Sequence, residues 1–202
     1  MDIHHRWEEA VHLLWHSGMV PTLNSFNSCS SACGSLGKWQ YSLCVLKAAS
    51  DCNVQLDIIS YNTLINSCAV ARSWELALSI FWELEGRGIA PDEVSFAGLF
   101  DSLPGLQPDL LAELLDLMFR FKAVDTVALS AALRCYGKTG RWEMSCQILS
   151  LVVSKGLQMD QVSSGAVADA CAREGQWEQL VRLVIPSSSI VTVNSVLNAC
   201  AT

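Results

Sequence analysis

The sequence predicts an all-α fold, an α-solenoid of antiparallel helix-turn-helix repeats of about 35 residues. The first observation is the spacing of five of the seven tryptophans, which lie 32, 35, 68 and 35 residues apart: Trp7, Trp39, Trp74, Trp142 and Trp177. Because 68 is twice 34, one step of a constant period is missing between Trp74 and Trp142. The second observation is that apolar residues recur at helical spacing on both sides of these tryptophans. Such a period indicates one pair of helices stacked on copies of itself.

The clearest repeat covers residues 58–92. Its first half carries apolar residues at the spacing of an amphipathic helix: Tyr61, Leu64, Ile65 and Cys68. Its second half does the same: Trp74, Ala77, Leu78, Phe81 and Leu84. Gly88 follows at a position where a left-handed residue ends a helix most easily, and Pro91 prevents the helix from continuing. This unit is therefore predicted to be two antiparallel helices.

The same frame divides the rest of the chain. Two more full-length repeats carry both apolar stripes: 23–57 with Phe26, Cys29, Ser30, Cys33, Trp39, Ser42, Leu43, Leu46 and Ala49, and 126–160 with Leu129, Ala132, Leu133, Tyr136, Trp142, Ser145, Cys146 and Leu149. Two degenerate repeats contain prolines: 93–125, with Pro104 and Pro108 around its turn, and 161–189, whose second helix ends at Pro186. Partial repeats flank them: 1–22 as a second helix and 190–202 as a first helix. All seven segments form one predicted solenoid domain.

Composition favours a folded, soluble chain. Apolar residues make up 51% of the 202 residues and charged residues only 16%, which argues against disorder. No apolar run approaches the roughly 18 residues that cross a bilayer, so we expect no contact with a membrane. The mean hydropathy of +0.31 is high for a free-standing domain. Since both ends also fall within repeats, we expect a segment of a longer array with an exposed apolar edge at its C-terminal end.

The segments Asp57–Asn66 and Arg87–Asp92 resemble the pentatricopeptide repeat family, in its P-type form. The resemblance is strong in 23–92, fair in 126–160 and weak in 93–125 and 161–189. The tetratricopeptide repeat is similar in length, but its Leu-Gly pair after the tryptophan has no counterpart in Glu75-Leu76-Ala77. The resemblance implies a right-handed solenoid whose first helices line a groove that binds single-stranded RNA, one nucleotide per repeat.

The resemblance also implies which residues contact RNA. The fifth and last residues of each repeat would recognise a base: Asn27 with Asp57, Asn62 with Asp92, Ala97 with Asp125, Ser130 with Asp160, Gly165 with Ser189, and Asn194 with a partner beyond the chain. The implied preference is U-U-N-G-N, with the 5′ end of the RNA toward the N-terminus. Aliphatic second residues would sandwich each base: Ile59, Val94, Val127, Val162 and Val191, with Asn24 as a departure. Lys138 and Arg173 occupy the thirteenth position, which faces phosphate in the family, while Ser35 and Val70 hold it elsewhere.

Two observations leave alternatives open. Asn, Ser and Asp commonly cap helices, although four of the five complete repeats end in Asp, which favours a shared binding role. The net charge of -7 opposes affinity for phosphates, so we expect weak, salt-sensitive binding by this segment alone. The second hypothesis is therefore a protein-protein interaction scaffold.

Other candidate sites have simpler explanations. Nine cysteines include Cys29 and Cys33 at metal-capable spacing. Four of the nine fall at position eleven of their repeats and a fifth at position ten, and these are predicted to be buried packing residues in a reducing compartment: Cys33, Cys68, Cys171 and Cys200, with Cys135. His12 and His16 lack a third ligand, so we expect surface histidines rather than a metal site. The tryptophans are predicted to begin each second helix and to pack in the core.

No catalytic motif or cofactor site is visible, so we expect a protein that is not an enzyme. The family implies an organelle, chloroplast or mitochondrion, and roles in RNA processing, stability, editing or translation.

Overall fold

The computed structural model describes residues 12, 21–103, 108–139, 142–154, 161–173, 175 and 178. The chain divides into two compact units, Met1–Ser102 and Leu103–Thr202. Every regular element in the described residues is an α-helix: α1 Leu23–Gly34, α2 Trp39–Asp51, α3 Ile58–Val70, α4 Trp74–Gly86, α5 Glu93–Ser102, α6 Pro108–Arg120, α7 Thr126–Thr139, α8 Trp142–Ser154 and α9 Gln161–Arg173. The prediction of an all-α fold is therefore confirmed. Five of these helices begin where a predicted repeat begins: α1, α3, α5, α7 and α9.

Side-chain caps begin the first helix of each pair in the first unit. Thr22 and Ser25 form a capping box at the start of α1, and Asp57 and Ser60 form another at the start of α3. The second helices, α2 and α4, begin without a side-chain cap. After α4 the predicted left-handed residue is found at Gly88, whose φ is 76° and whose amide donates to the Glu85 carbonyl.

In the first unit the helices α1, α3 and α5 lie side by side, while α2 and α4 pack against α1 and α3. The predicted apolar stripe of α3 is buried between them, because Tyr61, Leu64, Ile65 and Cys68 are at most 4% exposed. Close approach of α1 and α3 depends on Gly34, where an added Cβ would lie 2.6 Å from Ser67 Cβ. Small residues therefore set the separation of neighbouring first helices.

The second unit is built in the same way. Helix α7 packs against α8 and α9, and α6 packs against α7. Its buried residues include most of the predicted stripe: Leu129, Ala132, Leu133, Tyr136, Ser145, Cys146 and Leu149. Gly137 allows α9 to approach α7, since an added Cβ would lie 2.6 Å from the Ala166 carbonyl oxygen. Cys146 Sγ and Cys171 Sγ are 3.7 Å apart across α8 and α9.

Two core predictions need correction. Leu43 was placed on the apolar stripe of α2, but it is 36% exposed, and Val45 is buried instead. Trp39, Trp74 and Trp142 begin α2, α4 and α8 as predicted, but each is only half-buried, as is Leu78 of the predicted stripe of α4. Trp7 and Trp177 lie outside the described residues.

The cysteine prediction is confirmed wherever the structure describes it. Cys33, Cys68, Cys135 and Cys171 are at most 2% exposed, while Cys200 lies outside the described residues. Burial raises the pKa of the Cys68 thiol to about 11, which keeps it protonated at neutral pH. Within the described part of the chain, no helix combines the length and apolar character needed to cross a membrane.

Candidate nucleic-acid interface

A groove of about 660 Å³ lies between the first helices α1 and α3. It is lined mainly by small polar side chains: Asn24, Asn27, Ser28, Ser31, Ala32, Ser35, Ile59 and Thr63. Hydroxyl and amide groups can each donate and accept hydrogen bonds, so this surface suits a ligand that carries both kinds of group. Two of its residues, Asn24 and Ile59, occupy the predicted base-sandwiching position, and Asn27 occupies a predicted base-recognition position.

Asn27 and Asp57, which the sequence paired, are in contact. Asp57 caps α3, because its Oδ1 accepts from the Ser60 amide at 2.9 Å. The same oxygen accepts from Asn27 Nδ2 at 3.4 Å and lies 2.9 Å from Ser60 Oγ. Ser60 Oγ also lies 2.8 Å from Asn27 Oδ1, so its single proton is shared between Asn27 Oδ1 and Asp57 Oδ1, with the shorter contact to Asn27. Asn27, Asp57 and Ser60 therefore form a closed hydrogen-bonded network at the edge of the groove.

The network recurs 35 residues later with the same residue types. Asn62 Nδ2 donates to Asp92 Oδ1 at 2.9 Å, and Ser95 Oγ donates to Asn62 Oδ1 at 2.6 Å. Asp92 Oδ1 also accepts from the Ser95 amide at 2.9 Å. Asn27 and Asn62 are each only 9% exposed, so each is largely buried within its network. Recurrence at the repeat period shows that the arrangement belongs to the repeat rather than to one turn.

The Asp57 carboxylate is stabilised in its charged form. Burial acts to raise its pKa, but hydrogen bonds from the Ser60 amide and hydroxyl, the Asn27 amide and its own backbone together hold the pKa below its usual value. Asp57 is therefore ionised at neutral pH, and its Oδ2 takes part in none of the bonds described above. A charged acceptor thus lies beside the Asn27 amide.

The other predicted pairs are described only in part. Asp125 caps α7, since its Oδ1 accepts from the Ala128 amide at 2.9 Å. Ala97 is buried at 7% exposure and Ser130 at 5%. Gly165 has open space where a Cβ would lie. Asp160, Ser189 and Asn194 lie outside the described residues.

The predicted base-sandwiching residues form an exposed apolar series. Ile59 is 59% exposed, and Val94 and Val127 are each 54% exposed, although neighbouring aliphatic residues of the same helices are buried. Fully burying such a side chain against a ligand contributes about 1.5–3 kcal/mol, so each is a candidate contact for a flat apolar surface. Asn24, which occupies the same position of its repeat but is not aliphatic, is also exposed. Val191 and the side chain of Val162 lie outside the described residues.

Positive charge is sparse at the predicted phosphate positions. Arg173 is exposed, but its Nη2 donates to the Gly137 carbonyl, so the guanidinium is partly engaged by backbone. Val70 is 51% exposed, and Ser35 Oγ donates to the Ala32 carbonyl at 3.0 Å. The side chain of Lys138 lies outside the described residues, as does His16, while His12 is exposed. No three His, Cys, Asp or Glu side chains in the described residues are placed to hold a metal ion.

Ser60 and Ser95 were missed by sequence reasoning. Both lie three residues after an Asp that ends a predicted repeat, in the Asp-x-x-Ser order of a capping box. That signal predicts a cap, and Ser60 does complete the cap of α3. It does not reveal that the hydroxyl also contacts an asparagine of the preceding repeat, because that contact spans 33 residues.

The fold is similar to that of known helical-repeat structures. The chain matches the crystal structure of the pentatricopeptide repeat protein PPR10 in complex with an 18-nt psaJ RNA element with a TM-score of 0.74 and 19% identity, over 97% of this chain and 29% of that chain. It also matches the PPR domain of Arabidopsis thaliana protein-only RNase P 1 in complex with tRNA, with a TM-score of 0.62 and 17% identity, over 86% of this chain and 95% of that chain. At these identities the likeness establishes the solenoid fold alone.

Sequence models identify the repeats themselves. Residues 56–104 match the PPR repeat family and residues 127–157 match the PPR repeat. The chain therefore contains pentatricopeptide repeats over these two segments. Two pentatricopeptide repeat-containing chloroplastic proteins of Arabidopsis thaliana are each 28% identical to it, over 61% and 58% of this chain. These matches span only 16% and 14% of the two relatives, so the present pentatricopeptide repeats correspond to a small part of each.

Proposed function

We propose that these pentatricopeptide repeats bind single-stranded RNA sequence-selectively, with one nucleotide per repeat. The observation that carries the proposal is the recurring Asn-Asp-Ser network, whose two copies lie one repeat apart at the groove-lining helices. Each copy fixes an amide on a groove-lining helix, and an exposed aliphatic residue suited to stacking, Ile59 or Val94, is adjacent in sequence to its serine. RNA binding by the PPR10 and RNase P 1 structures supports the same class of ligand.

Capping alone does not account for the two networks. A cap requires only that Asp57 or Asp92 accept hydrogen bonds from the start of the following helix. It requires no asparagine 30 residues earlier, yet Asn27 and Asn62 both donate to the capping carboxylate. The same carboxylate therefore caps one helix and orients the amide of another. This double use favours a role in recognition in addition to stability.

The proposed base preference follows the division into repeats. Uracil is assigned to the Asn27–Asp57 and Asn62–Asp92 pairs, and guanine to Ser130 with Asp160. Ala97 and Gly165 bring no side-chain hydrogen bond, so those two positions are assigned no preference. The relatives' chloroplastic names favour a role in organellar RNA processing, within a longer array that supplies further contacts.

The test is a titration of the 202-residue chain with single-stranded RNAs, followed by fluorescence anisotropy at low and moderate salt. One RNA carries U-U at the first two positions, and matched RNAs carry C-C or A-A there. We expect the U-U strand to bind most tightly and all affinities to be weak, because the chain has a net charge of -7 and few cations to contact phosphates. The affinities should fall as salt rises to the extent that Lys and Arg side chains do contact phosphates. Equal affinity for the three strands would refute sequence-selective binding.

A protein-interaction scaffold is the second candidate function. It is favoured by the acidic charge and by two exposed aromatic residues on the second helices of the first unit, Tyr41 at 48% and Trp82 at 44% exposure. These residues lie on α2 and α4 rather than on the helices that line the groove. Absence of RNA binding at low salt in the same titration would support this candidate over the first.

A further inference from the structure

The buried hydroxyls of Ser60 and Ser95 each contact an asparagine of the preceding repeat. Both serines are 0% exposed, so solvent does not satisfy their hydroxyls. Ser60 Oγ lies 2.8 Å from Asn27 Oδ1, and Ser95 Oγ lies 2.6 Å from Asn62 Oδ1. These are short, well-formed hydrogen bonds for an O–H donor. Each serine thus holds the carbonyl end of an amide whose nitrogen end is held by an aspartate.

We propose that Ser60 and Ser95 are positioning residues that set the base specificity of Asn27 and Asn62. The inference rests on the proposed function, since it assigns a role to neighbours of the same base-recognition pairs. Neither serine contacts RNA in this proposal. Each acts through the asparagine, by determining which end of the amide is available to a base.

The hydrogen-bond inventory of the amide explains the effect. A primary amide has two N–H donors and one carbonyl acceptor. In the Asn62 network one N–H is directed to Asp92, and the carbonyl oxygen accepts from Ser95. The second N–H is the donor that remains for a base. Uracil has a carbonyl acceptor at the position where cytosine has an amino donor, so a fixed N–H favours uracil over cytosine.

The distances predict which serine has the larger effect. At Asn27 the contact with Asp57 is 3.4 Å, beyond the usual range for N–H···O, while the contact with Ser60 is 2.8 Å. At Asn62 the aspartate contact is 2.9 Å and the serine contact 2.6 Å. Loss of Ser60 therefore leaves the Asn27 amide with only its long contact to Asp57, whereas Asn62 keeps a good hydrogen bond after loss of Ser95.

The sequence around the degenerate repeat 93–125 supports the pairing of each serine with an asparagine of the preceding repeat. Three residues after Asp125 the chain has Ala128 where Ser60 and Ser95 stand in the other networks. The base-recognition position of that repeat is Ala97, which has no amide to hold. In the repeats that begin at residues 58, 93 and 126, serine is therefore present where the preceding repeat offers an asparagine, and alanine where it offers alanine. Ser163, three residues after Asp160, stands where the preceding repeat offers Ser130.

The experiment uses the full 202-residue chain and RNAs that carry uracil or cytosine at each of the first two positions. Ser60→Ala should lower the preference for uracil over cytosine at the first position by about three- to tenfold, and Ser95→Ala should lower it less, at the second position only. Ser60→Thr keeps the hydroxyl and should restore the preference. Ser25→Ala is the matched control, because Ser25 completes a capping box whose hydrogen bonds go to Thr22.

The outcomes separate the two proposals. If the unmodified chain prefers uracil and Ser60→Ala retains that preference, the positioning role is wrong while the proposed function stands. The same holds if Ser60→Ala, Ser95→Ala and Ser25→Ala weaken binding to all RNAs equally, because that result indicates only a loss of helix stability. If the unmodified chain binds every RNA equally, the proposed function itself fails. A change confined to one base position, with Ser60→Thr restoring it, supports the inference.

Discussion

Asn62 Nδ2 donates to Asp92 Oδ1 at 2.9 Å, and this bond connects two successive first helices of the array. Asn62 lies in the second turn of α3, and Asp92 immediately precedes α5. The bond therefore connects residues 30 positions apart. The same connection is made one repeat earlier, between Asn27 and Asp57. Because both pairs bridge adjacent repeats, a change in the separation of the first helices would alter the proposed base-recognition site.

Replacement of Asn62 by threonine is expected to shift the second base preference from uracil toward guanine. Threonine lacks the second N–H donor and offers a hydroxyl beside Asp92. A binding selection from a randomised RNA pool would measure the change. The first position, assigned to Asn27, is the internal control and should remain uracil. An unchanged preference at the second position would contradict the assignment of Asn62.

Replacement of Ile59 by serine is expected to weaken RNA binding by about three- to tenfold with little effect on stability. Ile59 is 59% exposed in the free protein, so its removal costs few internal contacts, but it loses the surface proposed to stack on a base. Leu43→Ser is the matched control, since Leu43 is also exposed, at 36%, but lies on the second helix α2 rather than on the helices that line the groove. Equal losses of affinity in both variants would argue against a stacking role for Ile59.

Replacement of Gly34 by alanine is expected to destabilise the chain by about 1–3 kcal/mol. The added Cβ would lie 2.6 Å from Ser67 Cβ, which forces α1 and α3 apart. Gly86→Ala is the control, because a Cβ there meets nothing within 4 Å. Urea unfolding should show a loss for the first variant and no loss for the second. RNA affinity should fall with Gly34→Ala as well, since the groove lies between the same two helices.

The Asp57 carboxylate predicts a specific pH dependence of stability. Its pKa is lowered in the folded chain, so its contribution is present above the unfolded pKa near 4 and is lost as the pH falls through the lower folded pKa. Asp57→Asn should therefore be less stable than the unmodified chain at pH 7, and the difference should shrink toward pH 2. Asp51→Asn, at the exposed end of α2, is the charge-matched control. A difference that stays constant or grows in acid would contradict the proposed network.

The sequence determined the helices and most of the core. The spacing of Tyr61, Leu64, Ile65 and Cys68 predicted α3 and its buried face, because residues three and four apart lie on one side of a helix whatever packs against it. The same reasoning placed Leu43 in the core incorrectly. A residue at the margin of a stripe is buried only if a neighbouring helix covers it, and periodicity along one helix carries no information about its neighbours.

Only the tertiary structure decided how the site residues are used. The sequence paired Asn27 with Asp57 through the repeat frame, but Asp57 at a helix start is equally typical of a cap. The structure shows that this carboxylate does both, and that Ser60 holds the other end of the amide. These contacts depend on the separation of α1 and α3, which is set by packing at Gly34 and Ser67. The local pattern of residues thus determines each helix, whereas hydrogen bonds between residues about 30 positions apart exist only once the helices have packed.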